Sequence, residues 1–210
     1  FYPFTQPHGK SRSGLALFSK YPVTDSLRRS FPVSTSFSKF FDLDRCYSIS
    51  RVPVDNGREL VVFELHMSAY GNSDAIREGQ INMLAEDMAK EFCQRGIASA
   101  AVYSGENGAY AEERNEAIRK LKNGEIRVIF SVDMFNEGVD IASLDMVMFL
   151  RPTESPVVFL QQLGRGLRLY KGKEYLNVLD FIGNYEKAGK APLLLSGEQS
   201  FSKKGSCEYQ

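Results

Sequence analysis

From residue 97 onward the apolar positions fall into short unbroken runs separated by amphipathic stretches. The pattern predicts strands over 98–103, 127–132, 146–150 and 175–181, with helices over 111–121 and 156–167. Runs such as Val128-Ile-Phe130 and Met146-Val-Met-Phe-Leu150 lack polar alternation. That is what a parallel sheet asks for, because helices cover both of its faces. Residues 1–57 read differently, as β-rich runs broken by turn formers. Asp55-Asn56-Gly57 separates residues 45–54 from 58–66, a hairpin signal that pairs these two runs antiparallel. Between the two regions, Ile76, Met83, Leu84, Met88 and Phe92 recur at helical spacing over residues 73–95, and Gly96 follows as the helix stop.

A helix over 73–95 is about 34 Å long at 1.5 Å per residue. That exceeds what a small sheet needs, so the helix is expected to overhang or to break near Gly79. Leu60-Val-Val-Phe63 and Leu65 form an apolar run ahead of it. This run is expected to join the sheet of the second half beside the 98–103 strand or a neighbour, making one continuous sheet.

Composition changes this picture little. Lys plus Arg and Asp plus Glu are both 26, so no global field favours a nucleic acid, and any such contact must be local. Cys46, Cys93 and Cys207 are odd in number and lack C-x-x-C spacing, which argues against a disulfide framework and a zinc site and suggests a reducing, cytoplasmic setting. No apolar run approaches the roughly 18 residues that span a bilayer, and no signal peptide is read at the start. Phe1 in place of Met suggests a fragment. Residues 198–210 form a polar tail.

Three groups of chemistry-bearing residues follow in order. The first is Val102-Tyr-Ser-Gly105, with Glu113-Arg114 opening a helix that ends at Lys122-Asn-Gly124. The second is Val128-Ile-Phe-Ser-Val-Asp-Met-Phe-Asn-Glu-Gly-Val-Asp140, and the third is Gln161-Gln-Leu-Gly-Arg-Gly-Leu-Arg168. Arg165 and Arg168 are three apart, so both guanidiniums project from one helical face while Val157, Val158 and Leu160 occupy the other. Guanidinium forks fit phosphate oxygens and stay charged. Two arginines on an exposed helix also suit a merely solvated face. Ser104-Gly105 suits a strand-to-helix turn equally well.

Taken together, the three groups resemble motifs of the second RecA-like lobe of superfamily 2 DEAD/DEAH-type helicases, over residues 87–197. The resemblance implies an α/β fold with a RecA-like parallel sheet and flanking helices, and a nucleic-acid-dependent ATPase. It casts Arg165 and Arg168 as arginine fingers, with Gln161 ordering the γ-phosphate site. Gly138, Asp140 and Gly164 would serve the nucleotide, and Ser104, Gly105 and Ser131 the nucleic acid. Val132-Asp133 departs from the Thr-Asp pair of many relatives, so the hydroxyl contact falls to Ser131 or is lost. ATP is the implied cofactor, and DNA is expected ahead of RNA. The sequence shows no phosphate loop and no Asp-Glu metal pair. Mg²⁺ therefore enters only with a first RecA-like lobe, supplied in trans or by sequence outside this chain.

Residues 1–86 carry Gly14-Leu-Ala-Leu-Phe-Ser-Lys-Tyr-Pro-Val23 and Gly57-Arg-Glu-Leu-Val-Val-Phe-Glu-Leu-His-Met-Ser68. These resemble part of the endonuclease/exonuclease/phosphatase family, a metal-dependent sandwich of two β-sheets flanked by helices. The resemblance implies a β-rich fragment of such a sandwich, with His66 at the scissile phosphate. Its acidic metal ligands are not found, so no metal site is expected. Three functions follow: the helicase-type ATPase lobe, an incomplete phosphoesterase, and a non-catalytic module binding nucleic acid or a partner.

Overall fold

A computed structural model describes residues 2–8, 10–32, 45–68, 74–104, 108–132, 141–150, 163–164 and 166–180. Strands β1 (Tyr2–His8) and β2 (Ser11–Leu17) form an antiparallel hairpin. A Cβ on Gly14 would lie 2.1 Å from the carbonyl oxygen of Phe4, so glycine permits this close pairing. Strands β3 (Asp25–Ser30), β4 (Cys46–Val54) and β5 (Arg58–His66) form an antiparallel sheet in that order. The turn joining β4 to β5 has Asn56 at φ 65° and Gly57 at φ 68°, the left-handed geometry that the Asn-Gly pair favours.

Strand β4 is buried on both faces. Tyr47 and Ile49 pack with Phe31, Val61, Phe63, Met83 and Leu84 under helix α1 (Asp74–Gln94). Alternate residues Cys46, Ser48, Ser50 and Val52 are buried on the opposite side, where β2 lies against β4 and β5.

Helix α1 ends as its sequence predicts. Gly96 adopts φ 77°, the Ile97 amide donates to the Phe92 carbonyl at 3.0 Å, and the Gly96 amide donates to Cys93 at 3.0 Å. Strand β6 (Ser99–Val102), helix α2 (Arg114–Lys122) and strand β7 (Val128–Ser131) then form a unit with β6 and β7 parallel. Helix α2 closes in the same manner at Gly124, and Glu113 caps its start by accepting from the Asn115 and Glu116 amides. Strands β8 (Met146–Phe149) and β9 (Asn177–Asp180) make a second parallel pair. Phe149 and Leu163 form a small core beside them with Val147 and Leu176. The α/β character expected of the second half is present as parallel strand pairs with helices, and the first half is β-rich and antiparallel.

One expectation fails, and for the long helix one of two alternatives, the break near Gly79, is excluded. Strand β5 pairs with β4 alone among the described residues, so the 60–66 run joins no parallel sheet. Leu60 and Leu65 are exposed, which shows why: β5 is a half-solvated edge strand, and its apolar run mimicked a buried one. Helix α1 is also continuous through Gly79 for 21 residues. A Cβ at Gly79 would meet Pro32 at 3.7 Å, and packing on both sides of the helix outweighs the roughly 1 kcal/mol that a mid-helix glycine costs. Of the predicted 156–167 helix, Leu163, Gly164, Gly166 and Leu167 are described: the first two are helical, whereas Gly166 and Leu167 lie in a turn. Arg168 follows outside the helix, so the expected helical face does not extend to it.

Candidate nucleotide and nucleic-acid site

Ligands of parallel α/β sheets sit outside the carboxyl ends of the strands. There the β6–β7 pair brings two of the expected residues together: Val102 pairs with Ser131, and Ser104 follows β6 by two residues. The Val132 amide donates to the Val102 carbonyl at 3.0 Å and extends the pair to this edge. Ser104 and Ser131 are both exposed. The Ser104 hydroxyl donates to the Glu78 carboxylate, and Asn82 Nδ2 donates to the Ser104 carbonyl at 3.1 Å.

Helix α1 supplies what the motif reading missed. Glu78, Asn82 and Glu86, spaced by four, form a polar stripe over the carboxyl end of β6. Glu86 Oε1 accepts from the Tyr103 hydroxyl at 3.3 Å and from the Tyr110 amide at 3.1 Å, so one carboxylate ties Tyr103 to Tyr110. The Gly108 amide donates to the Tyr103 oxygen at 3.1 Å. A Cβ on Gly108 would lie 2.4 Å from that carboxylate. Burial raises the Tyr103 phenol above its ordinary pKa, the Gly108 amide opposes this, and the nearby Glu86 carboxylate adds to it. The i, i+4, i+8 spacing was the available signal.

The arginine segment is described in part. Leu163 is buried, Gly164 is exposed with open space where a Cβ would be, and Arg168 is exposed. Gly166 is buried, and a Cβ there would lie 2.8 Å from Leu176. Arg165, Gln161, Gly138, Asp140 and Gly105 lie outside the described residues. An open cleft of about 420 Å³, lined by Asp145, Tyr170, Lys171, Tyr175 and Asn177 among others, lies elsewhere. Asp145 and Asn177 mark the amino ends of β8 and β9, the wrong end of the strands for a ligand of this architecture.

His66 is exposed at the end of β5, with Arg45 Nη1 at 2.8 Å from its Nε2. Among the described residues no group of three His, Cys, Asp or Glu side chains is placed to hold a metal, and no helix is long and apolar enough to cross a membrane.

The helicase conserved C-terminal domain family matches residues 67–170, a span that takes in α1, both edge serines and the whole arginine segment. These residues are a helicase C-terminal domain. The match begins at Met67, directly after β5, so α1 lies inside it. IRC3 of Saccharomyces cerevisiae, whose name assigns it to the ATP-dependent helicases, is 42% identical over 71 residues, covering 34% of this chain and 10% of IRC3. The ATP-dependent DNA helicase mph1 of Sclerotinia sclerotiorum is 34% identical over 119 residues, covering 49% of this chain and 10% of mph1. UvrABC system protein B of Helicobacter hepaticus is 26% identical over 110 residues, covering 50% of this chain and 16% of that protein. The chain thus spans between 10% and 16% of the length of these three relatives at most.

Proposed function

We propose that this chain supplies the second, RecA-like lobe of a nucleic-acid-dependent ATPase of superfamily 2. The observation that carries the reading is the coincidence of the helicase C-terminal match with a parallel β–α–β unit whose carboxyl edge gathers Ser104 and Ser131. In this reading Arg165 and Arg168 stabilise charge on the transferring γ-phosphoryl group, Gln161 orders that group, and Gly138, Asp140 and Gly164 border the nucleotide. A guanidinium in this role contributes roughly 10³ to 10⁵ in rate. Ser104, Gly105 and Ser131 face the strand, with Ser104 exchanging its Glu78 partner for a phosphate oxygen. The strand is DNA, as the likeness to the ATP-dependent DNA helicase mph1 favours, and the setting is the cytoplasm.

The test is complementation. The full chain, mixed with a separate first lobe from a related helicase, should show ATP hydrolysis stimulated by single-stranded DNA, and the chain alone should show none. Arg165→Ala and Arg168→Ala should each abolish the stimulated turnover while DNA affinity stays within about twofold. Turnover unchanged in both variants would return the arginines to a solvated face.

One observation favours a second reading for residues 1–86. A hairpin laid on one face of a three-stranded antiparallel sheet, with a helix on the other face, is the layering of a fragment of an endonuclease/exonuclease/phosphatase-type sandwich. His66 beside Arg45 would be its phosphate contact. Mg²⁺- or Mn²⁺-dependent phosphodiester cleavage that disappears in His66→Ala would establish that reading.

A further inference from the structure

Among the described residues, Lys173 has an ammonium group that is fully committed to backbone carbonyls. Its Nζ donates to the Ala142 carbonyl at 3.0 Å, to the Arg168 carbonyl at 3.3 Å and to the Gly166 carbonyl. An ammonium has three N–H donors, so these three acceptors exhaust it. The backbone delivers it there. Gly172 at φ 85° and the Lys173 amide bond to the Tyr170 carbonyl at 3.0 Å close a turn that brings the side chain back under the preceding segment.

The three acceptors belong to two motif-bearing segments that are distant in sequence. Ala142 lies just after the Gly138–Asp140 group, and Gly166 and Arg168 close the arginine segment. The same stretch is held on its apolar side by buried Leu163 and by Leu176 against Gly166. Leu144 joins that contact. Carbonyls at the end of a helix have no partner within it, and a cation is well suited to them. A lysine that merely solubilised the turn would point outward; this one is drawn inward.

We propose that Lys173 is a positioning residue that fixes the arginine segment against the segment following Asp140, and so sets where Arg168 is presented. The role assigned to the arginines rests on the function proposed above; the tie between the two segments does not. Displacing a catalytic group by about 1 Å costs on the order of 100-fold in rate. That is the scale at which losing the tie should register.

The experiment compares the full chain with Lys173→Met, which keeps the stem and removes the donors, and with Lys173→Arg, which restores donors. Amide hydrogen exchange is read over 141–144 and 163–170, and ATP turnover is read with single-stranded DNA and a first lobe in trans. Lys173→Met should speed exchange in both segments together and lower kcat on the order of 100-fold, with the KM for ATP within about twofold. Lys173→Arg should recover most of both. A purely stabilising side chain would lower the melting temperature and leave the kcat of the folded fraction alone, and that outcome overturns the positioning role. Unchanged exchange in Lys173→Met overturns the tie itself. Faster exchange with no stimulated turnover in any version, wild type included, supports the tie and overturns the proposed ATPase function.

Discussion

Helix α1 meets the two regions it joins through different buried contacts. Towards the parallel pair it offers Ala85 and Ala89, which pack on Ala101 with Tyr103, Tyr110, Phe130 and Val132 around them. Phe92 meets Phe130 edge to face with ring centroids 5.1 Å apart. Towards the antiparallel sheet the same helix offers Gln80, Asp87 and Glu91, all buried. The Gln80 amide donates to the Pro32 carbonyl and the Ser68 hydroxyl, each at 2.9 Å, and accepts from the Ser68 amide at 3.0 Å. Asp87 accepts from the Tyr47 hydroxyl and pairs with Arg29 at 3.2 Å. Glu91 pairs with Arg51 at 2.8 Å and with Arg95 at 2.6 Å.

The first contact is the interior of one domain, where small side chains let a helix and a sheet approach closely. The second has an apolar patch around Tyr47, but its directional bonds are polar, as at interfaces between domains. The helicase match begins at Met67 and so assigns α1 to the parallel side. The antiparallel sheet is attached to a helix that belongs to its neighbour, by the apolar cluster around Tyr47 and by buried ion pairs and hydrogen bonds beside it.

The largest effect should come from crowding the small-residue contact. Ala101 is fully buried against Ala85 and Ala89, so Ala101→Leu must push α1 off β6 or leave its rotamer minimum. We expect a loss of about 3 kcal/mol in urea unfolding, independent of salt, since overpacking costs roughly 1 to 3 kcal/mol and occasionally more. A loss below about 1 kcal/mol would show slack between helix and sheet and erase the contrast with the polar side.

The polar side should respond less, and differently. Glu91→Ala removes the carboxylate shared by Arg51 and Arg95 and leaves them only their more exposed partners Asp25 and Glu59. Breaking a fully buried pair costs about 3 to 5 kcal/mol. The arginine side chains here are 21% and 30% exposed, so about 2 kcal/mol is expected. The cost should change measurably between low and high salt, and a salt-independent loss would place this interface with the apolar one.

How much of this arrangement the sequence carries depends on whether the cause is local. The β4–β5 hairpin was legible because Asn56 and Gly57 are the residues that tolerate positive φ, and both helix stops were legible because Gly96 and Gly124 do the same. Strands β6 to β8 were legible as apolar runs. Strand β3 was not, since Asp25-Ser-Leu-Arg-Arg-Ser30 has no apolar alternation and is held by pairing with β4 and by Arg29 reaching Asp87. Strand β1, with Pro3 and Pro7 in it, was missed for a similar reason: its partner β2 makes it a strand. At the candidate site, Ser104 and Ser131 could be read from motif spacing. Their juxtaposition with Glu78 and Glu86 could not, because it depends on which face α1 turns to β6. Lys173 was invisible for the same reason, its three acceptors being set by tertiary folding.

A subtler effect separates the two faces by pH. Burial raises the Asp87 carboxyl above its ordinary pKa, and Arg29 only partly offsets this. The folded state then binds a proton that the unfolded state has already lost, so stability is greatest below the unfolded pKa and falls as pH rises through the folded one. Asp87→Asn keeps an acceptor for Tyr47 and removes the ionisation. It should flatten the fall in melting temperature as pH rises above the ordinary carboxylate pKa of about 4. Thermal melts of the two proteins that stay parallel across that range would place the proton elsewhere, and would mean that the charge on Asp87 is already balanced.

The smallest effect is expected from a trio that looks stronger than either interface. Arg119 bonds Glu116 at 2.7 Å and Glu125 at 2.7 Å, closing the last turn of α2 over its C-terminal loop. These bonds hold both carboxyls below their ordinary pKa and raise the guanidinium further. The guanidinium shift has no consequence, because arginine is charged in both states at any pH where the chain folds. The carboxyl shifts do act: their stabilisation is present above the unfolded pKa and is lost as pH falls through the folded pKa. All three groups are open to water, where such attraction is screened and side-chain ordering opposes it. Arg119→Met should therefore leave the neutral-pH melting temperature within error. It should make the protein slightly less sensitive to acid, because the variant has less ion-pair stability to lose below about pH 4.5. A neutral-pH loss as large as that of Glu91→Ala would show that exposure does not divide strong ion pairs from weak ones in this fold, and that the polar face of α1 owes nothing to its burial.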